Sequence, residues 1–465
     1  MAIFGLMTTT ELDGKQSLNA RRKVFYQYPN GAAPLMGLLS LMTDEEGTDK
    51  AEFGWEEERA LTFCQVTAQA NAAGPFTDTT GTAGAVGTDL TAAGWSAAVG
   101  TTIRVQLAAL EVVQVRDVIQ FRHVPGTSSS FKTFNGVVTA VWTAHDTIDV
   151  QLSEAVANAL NTTAANGVNV IMVGSAVAEG SRSTTGFQTW PMDVYNYTQI
   201  HRHAFNFSRT ALKAGLKFDA SGVYKTKAKK NQLKHMYALE RSAMFGVRSK
   251  TTGLTNEDGE TTVRRTSGGL LWFLKQWELG NTGNGGLFDY RPTGSNITTS
   301  DWKTTDDKRV IDVNGTCSKD EFELLIERVF KYTSDGSYEK LCLCGGGIIS
   351  AFNKFVDREA IRTTKLNVKE TYGLDITTWE SPHGIIHFKS HPLLTQAPGM
   401  NNSGFIMDMG NLCYTPLNDS DTELLKNRQG NDYDGRKDEW LTECGFEVRF
   451  PESHMFIDRL TGITA

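Results

Sequence analysis

The histidines are the residues whose spacing first suggests chemistry. His201 and His203 lie two positions apart, so on a strand both would point to one face, as a metal pair requires, but no third ligand is nearby. His383, His387 and His391 recur at every fourth position in HGIIHFKSHPLL, which has strand composition. In a strand each four-residue step is about 13 Å, too long for two ligands of one ion. The sequence therefore predicts strand side chains here and no metal site.

Two further stretches resemble ligand-binding loops but lack residues that those loops require. GNDYDGRKDEW resembles a calcium loop, but aligning Asp432, Asp434 and Gly435 with it puts Gly430 at the first ligand position and Leu441 where the glutamate belongs. The run CLCGGG lacks the Lys-Ser or Lys-Thr of a phosphate-binding loop. No nucleophile-elbow, kinase or zinc-protease signature occurs. We therefore expect no catalytic residue, no cofactor and no metal, and the protein is not predicted to be an enzyme.

An acidic cluster near the N-terminus is a candidate for binding rather than catalysis. Trp55 is followed by Glu56, Glu57 and Glu58, and then by Arg59. Consecutive residues of a strand point to opposite faces, so these carboxylates cannot easily converge on one ion. The cluster favours a solvated surface or an interface.

The longest helical pattern runs from Ser221 to Gly246 and would be about 39 Å long. Asp219 and Ser221 are candidate N-caps, and Gly246 can close the C-terminus. Glu240 lies close to the apolar side, where a carboxylate needs a partner such as Arg or Lys on a neighbouring element or chain. At helical spacing the apolar residues are Leu233, Met236, Leu239, Ala243 and Val247, and the basic face has Lys227, Lys230, Lys234 and Arg241.

Composition limits the class of protein. The 465 residues are 40% hydrophobic and 21% charged, which predicts two or three folded domains rather than disorder. The net charge of −7 disfavours a polyanion partner except at a local patch.

Six scattered cysteines indicate no zinc ribbon or disulfide framework and favour a reducing compartment. No stretch reaches the ~20 apolar residues of a membrane span, and no secretion leader is predicted.

The remaining chain alternates strands and helices. Residues 1–50 are typical of an extended arm, and residues 76–176 have the Gly, Thr and β-branched texture of a small β-barrel or sandwich. GLLWFLKQWEL predicts a short apolar helix, and Ser318 with Glu321 predicts a capping box for another. YEKLCLCGGG predicts a strand and glycine turn leading into a helix, and EWLTECGFEVRFPESHMFIDRLTGI predicts C-terminal strands.

This order of pieces resembles the major capsid proteins of tailed bacteriophages with the Hong Kong 97-like fold, in the branch with a β-domain inserted in the extended loop. The stretches that carry the resemblance are NYTQIHRHAFNFSRTALKAG, YKTKAKKNQLKHMYALERSAMFG, VRRTSGGLLWFL, ESPHGIIHFKSHPLL with FIMDMGNLCYTPL, and the C-terminal strands. The implied fold class is α+β. The implied function is self-assembly into pentamers and hexamers of an icosahedral head that encloses double-stranded DNA.

The resemblance also implies a domain division. The arm is 1–50, the extended loop is 51–75 and 177–215, and the inserted β domain is 76–176. The peripheral domain is 216–340 and 438–465, with the spine helix at 221–246, and the axial domain is 341–437. Neighbouring spines and loops overlap in such shells, which implies subunit contacts at Glu56, Glu57, Arg59, Trp190, Arg202, Lys227, Lys234 and Glu240.

Further expectations follow from the resemblance. Partners would be a separate scaffolding protein, a portal, a decoration protein and packaged DNA bound without sequence specificity, with no membrane. The virion capsid would be the location, after assembly in the host cytoplasm. Two alternatives stay open: a bacterial nanocompartment shell built on the same fold, and a carbohydrate-binding or adhesive protein that uses residues 76–176.

Overall fold

The structure is a computed structural model. The residues that it describes are 35, 47–58, 63–66, 76–79, 83–85, 90, 96–107, 113–123, 132–157, 168–181, 191–213, 223–255, 258–279, 308–333, 338–359, 363–364, 377–418 and 420–464. The chain divides into two compact units. The first unit comprises Met1–Gly54, Tyr195–Glu278 and Thr299–Ala465, and the second comprises Trp55–Val194 and Leu279–Thr298.

Strands β1 to β11 lie between Glu52 and Tyr197. They are β1 (Glu52–Glu57), β2 (Phe63–Val66), β3 (Phe76–Thr77), β4 (Ser96–Ala97), β5 (Thr102–Gln106), β6 (Asp117–His123), β7 (Lys132–Trp142), β8 (Thr147–Leu152), β9 (Val156–Ala157), β10 (Val168–Ser175) and β11 (Met192–Tyr197). Seven of them form one sheet in the order β2-β10-β6-β7-β8-β5-β3. Strands β1 and β11 form a two-stranded pair, as do β4 and β9.

The seven-stranded sheet encloses an aromatic and aliphatic core. The rings of Phe121 and Phe134 stack at 4.9 Å, and Phe76 meets Phe121 edge-on at 5.6 Å. Arg104 is buried and forms an ion pair with Asp149, with Nε and Oδ1 2.6 Å apart. The alternation of apolar and polar residues along the strands therefore builds a core that belongs to the second unit alone.

Thirteen described strands, β12 to β24, lie entirely within the first unit and form two sheets and a separate two-stranded ribbon. The strands are β12 (Gln199–Ser208), β13 (Ser249–Thr255), β14 (Thr261–Thr266), β15 (Val310–Ser318), β16 (Glu339–Cys344), β17 (Thr363–Thr364), β18 (Thr377–Ser381), β19 (Gly384–Ser390), β20 (Gly404–Met407), β21 (Leu412–Pro416), β22 (Glu423–Leu425), β23 (Gly435–Val448) and β24 (Met455–Thr464). A mixed sheet runs β15-β24-β20-β16-β19-β18-β17. The other runs β12-β23-β21, with β22 also on β23, and β13 pairs with β14 as a separate ribbon.

Six α-helices have described bounds in the first unit, and one of them ends at Leu279, one residue beyond the unit's boundary. They are α1 (Arg209–Lys213), α2 (Val223–Phe245), α3 (Leu270–Leu279), α4 (Lys319–Phe330), α5 (Gly346–Glu359) and α6 (Pro392–Gln396). The predicted apolar helix, the capped helix and the strand-glycine-helix unit are thereby confirmed as α3, α4 and β16-α5. The α4 helix packs Phe322, Leu325 and Val329 into the core of the mixed sheet.

Helix α2 confirms the long helix, with one correction at its end. Leu239 and Ala243 are buried as expected, but Val247 is 59% exposed. The helix ends at Phe245, so helical spacing no longer determines where Val247 points. Gly246 is needed there because a Cβ would lie 2.5 Å from the carbonyl oxygens of both Ser242 and Ser267. The predicted N-cap residues Asp219 and Ser221 lie outside the described residues.

Candidate functional site

Glu240 lies near the C-terminal end of helix α2 and has no exposed surface. Its Oε1 atom accepts hydrogen bonds from the backbone N–H of Leu35 at 2.9 Å and from Nε2 of His391 at 2.7 Å. His391 is also fully buried. Among the described contacts of this carboxylate, a histidine and a backbone amide of the same chain supply donors, where the sequence had suggested a cation such as Arg or Lys. Burial within one subunit leaves Glu240 no surface to offer a neighbour.

His391 joins this centre to helix α6. Its Nδ1 accepts a hydrogen bond from the backbone N–H of Leu393 at 3.2 Å, as the N-cap of that helix. A ring nitrogen that accepts from an N–H carries no proton, so Nε2 holds the proton that is donated to Glu240. The sequence offered one signal for this role, since His391 stands directly before Pro392 at the first helical position.

Three histidines lie between helix α2 and strand β12. His201 and His203 occupy one face of β12, as predicted, and Nδ1 of His203 lies 2.9 Å from Nδ1 of His235. Nε2 of His235 is 2.8 Å from Oγ1 of Thr442 on β23. Burial lowers the pKa of His201 and of His235 to about 4, and burial followed by the charges of Lys234 and Arg241 lowers the pKa of His203. These histidines are neutral at pH 7 and pack the helix onto the sheet.

Metal binding finds no support in this cluster. Within the ranges that the structure describes, no group of three or more His, Cys, Asp or Glu side chains is arranged to hold a metal ion. Five cysteines are buried as free thiols: Cys317, Cys342, Cys344, Cys413 and Cys444. In the same ranges no helix is both long enough and apolar enough to cross a membrane.

The outer side of helix α2 is a basic face. Lys227, Lys234 and Arg241 are exposed, and among the described residues none of the three has a carboxylate within ion-pair distance. Nζ of Lys227 lies 3.4 Å from the carbonyl oxygen of Asn206. The only acidic residue of the helix is the buried Glu240. This face is therefore positive in a chain whose net charge is −7.

The other residues predicted at subunit contacts differ in how exposed they are. Glu56 is exposed on β1, whereas Glu57 is 2% exposed and accepts a hydrogen bond from Nε1 of Trp55 at 2.7 Å. Arg202 donates to Glu439 at 2.7 Å, although 53% of its side chain stays exposed. The predicted contacts Arg59 and Trp190 lie outside the described residues.

A second group of buried polar residues surrounds Lys340, and no sequence pattern indicated it. Its Nζ donates to the carbonyl oxygens of Tyr332 at 2.9 Å and Ser453 at 2.6 Å, and burial lowers its pKa to about 7. Burial, aided by the charge of Lys340, lowers the pKa of His454 to about 3. Nδ1 of His454 accepts from the backbone N–H of Asp408 at 3.1 Å. These residues are distant in sequence, so no local pattern could predict their contact.

Comparison with known proteins identifies the family. A family model described as SU10 major capsid protein matches residues 8–464. No curated protein matches the chain. Among solved structures, a chain of Mycobacterium phage Cain is 8% identical, with a TM-score of 0.39 over 96% of this chain and 93% of that one. The capsid of Cyanophage P-SCSP1u is 10% identical, with a TM-score of 0.36 over 61% and 79%.

The holo-SrpI encapsulin complex from Synechococcus elongatus PCC 7942 is also similar, at 11% identity and a TM-score of 0.35 over 59% of this chain and 78% of that one. The family match confirms the predicted α+β, Hong Kong 97-like fold and the function of a capsid shell subunit in the virion. The family consists of structural proteins, not enzymes. The chain therefore belongs to the SU10 major capsid protein family.

Proposed function

We propose that the chain assembles into pentamers and hexamers that close into the icosahedral head of a tailed phage around double-stranded DNA. The family match over residues 8–464 is the observation that carries this proposal. The partners we propose are a scaffolding protein and a portal during assembly in the host cytoplasm, and a decoration protein on the finished shell. Packaged DNA would contact the inner face without sequence specificity, through local basic patches, because the chain as a whole is acidic.

The domain division is part of the proposal. Helix α2 would be the spine of a peripheral domain formed by 216–340 and 438–465, and residues 341–437 would form the axial domain. The seven-stranded sheet of the second unit would form the folded core of the β insertion, which lies in the extended loop. Its outer strand β2 begins at Phe63, ahead of residue 76 where the sequence pattern changes. We therefore propose that the insertion includes β2.

We propose that neighbouring subunits meet through opposite charges. Glu56 on β1 is an exposed carboxylate, and Lys227 and Lys234 are exposed cations on helix α2. Like charges on the basic face lie three, four or seven residues apart and repel one another. A carboxylate of one subunit placed beside these cations of its neighbour would lower that repulsion. Arg202 is a further candidate at the edge of this face, because half of its side chain stays exposed beside Glu439.

The first experiment measures the mass of the purified full chain in solution, with and without a coexpressed scaffolding protein, and images the heaviest fraction by negative-stain electron microscopy. Pentamers, hexamers, shells or tubes are expected. A monomer under both conditions contradicts the proposal. Shells that enclose protein cargo and no DNA in the native host would instead support the nanocompartment alternative.

A charge-reversal series tests the proposed contact. Glu56→Lys, or Lys227→Glu together with Lys234→Glu, is expected to reduce the yield of assembled particles, because each change places like charges opposite one another. Combining all three substitutions in one chain should restore part of the yield. Glu179→Lys, an exposed change of the same sign on the second unit, is the matched control. Equal yields for all variants would contradict the contact without affecting the shell function.

A further inference from the structure

Strands β13 and β14 form a two-stranded ribbon that stands apart from both sheets of the first unit. All residues of β13 except Leu254 are exposed, and Val263 on β14 is 41% exposed. Gly253 and Gly259 have φ of +75° and +85°, which allow a bulge in β13 and the turn between the strands. The ribbon therefore contributes almost nothing to the core of its own chain.

The base of the ribbon, in contrast, is held firmly. Arg248 donates to the carbonyl oxygen of Tyr195 at 2.6 Å, and its guanidinium lies 4.0 Å from the centre of the Tyr195 ring and 4.6 Å from that of Trp272. Nδ2 of Asn196 donates to the carbonyl oxygens of Gly268 at 3.0 Å and Phe446 at 2.7 Å. These contacts of Arg248 and Asn196 hold the base of the ribbon in place.

A projecting ribbon of this kind needs a partner. Two strands alone are at best marginally stable in water. Strand β14 pairs only with β13 in the described part of the chain, so its other edge offers a row of backbone N–H and C=O groups. No proline blocks this edge. Strand addition from another molecule is the ordinary way to satisfy such groups.

The charges on the ribbon indicate which molecule pairs with it. Arg264 lies toward the base, and Glu260 lies at the turn, four residues away. That separation is about 13 Å along a strand. If two β14 strands run antiparallel about an axis at Thr262, Arg264 of each copy stands opposite Glu260 of the other. The same register places Val263 opposite Thr261, so the edge is complementary to itself.

We propose that the ribbons of two copies of this chain pair through their β14 edges about a two-fold axis at Thr262, and so form a four-stranded antiparallel sheet between subunits. The pairing rests on the proposed assembly function and adds to it a specific contact between copies. It makes β13-β14 a connector whose stability comes from the second copy.

A cysteine placed on the axis tests this register. Residues directly opposite in an antiparallel pair have Cα atoms about 4.5 to 5.5 Å apart, within the range of a disulfide. Thr262→Cys should therefore give a covalent dimer on a non-reducing gel after mild oxidation. Thr251→Cys is the control, because it lies opposite Arg264 on the outer strand β13. The two copies of residue 251 would be about 14 Å apart across the paired sheet and about 13 Å apart along the strands, a total of about 20 Å. Five of the six native cysteines are buried, and the unsubstituted chain oxidised in parallel gives the background.

A charge exchange gives an independent test. Arg264→Glu and Glu260→Arg should each reduce assembly, and the double variant should restore it, because the exchanged charges meet again across the two-fold axis. Crosslinking is measured in both the soluble and the assembled fractions. Absence of the Thr262→Cys dimer from both fractions, or a double variant no better than the singles, overturns the pairing. If wild-type particles form normally in that case, the shell function stands, whereas absence of wild-type particles contradicts the shell function itself.

Discussion

Glu240 shows how one buried carboxylate can fix the positions of distant parts of the chain. Its two donors lie 205 and 151 residues away in sequence. A buried carboxylate without partners would be costly at this depth, so the hydrogen bonds from Leu35 and His391 stabilise the folded chain. These hydrogen bonds therefore hold Leu35, helix α2 and the start of α6 together.

Substitutions at Glu240 should lower the free energy of unfolding more when they remove more of its hydrogen bonds. Glu240→Gln keeps an acceptor oxygen and loses the charge, so we expect a loss of about 1 kcal/mol in the free energy of unfolding. Glu240→Ala leaves two buried donors without an acceptor and should cost about 3 kcal/mol. Urea unfolding of the unassembled subunit measures both, with the exposed Glu323→Gln as control. Unchanged stability in Glu240→Gln would contradict the paired carboxylate.

The histidines under helix α2 predict loss of stability in acid. Burial lowers the pKa of His235 from 6.5 to about 4, so below pH 6.5 the unfolded chain binds protons that the folded chain does not. Stability is then complete above pH 6.5 and falls as the pH drops toward 4, by on the order of 3 kcal/mol for this residue. His235→Gln should flatten the dependence of the unfolding free energy on pH between 7 and 4.5. His383→Gln, an exposed control, should leave the slope unchanged.

At the scale of elements, helix α4 illustrates a boundary set by local sequence. Oγ of Ser318 accepts from the backbone N–H of Glu321, and the Glu321 carboxylate accepts from the backbone N–H of Ser318 at 2.9 Å. Two of the unpaired donors at the helix start are satisfied in this way. The opposite face of the helix is buried, so this start is coupled to the core of the mixed sheet.

The capping box should contribute a measurable part of the stability. Ser318→Ala removes the side-chain acceptor and is expected to lower the free energy of unfolding by about 1 kcal/mol. Ser318→Asp keeps an acceptor and should retain most of it. Thermal and urea unfolding of the two variants provide the comparison. Equal destabilisation by both would contradict a role for the hydrogen bond.

At the scale of the whole molecule, the separation of charge matters more than the total. A net charge of −7 coexists with the basic face of helix α2 and the exposed Glu56 on β1. Contacts between exposed charges are screened by salt, since the Debye length falls from about 10 Å at 0.1 M to about 3 Å at 1 M. Assembly through these groups should therefore weaken as salt rises.

Light scattering during assembly can measure this dependence. We expect the assembly rate of the wild type to fall between about 0.1 M and 1 M salt. Lys227→Gln with Lys234→Gln should assemble more slowly at low salt and respond less to added salt. Glu179→Gln is the control. If the wild type and the lysine variant respond equally to salt, the basic face takes no part in assembly.

Sequence alone determined the features that depend on near neighbours in the chain. The spacing of apolar residues predicted α2, α3 and α4, the Ser318 and Glu321 pair predicted a helix start, and the order of the pieces predicted the capsid fold. Local hydrogen bonds and periodic burial control these features, so a short window of sequence contains the information. The shared face of His201 and His203 followed from the two-residue period of a strand.

Only the tertiary structure decided which distant groups meet. His391 donates to Glu240, His235 completes the histidine cluster, and Lys340 lies against Ser453 across 113 positions. Val247 is exposed because a helix end two residues earlier changes the direction of its side chain. Such contacts depend on how sheets and helices pack, and many sequences with the same local pattern could pack differently. The physical reason is that buried polar groups take whichever partner the fold brings within hydrogen-bond distance.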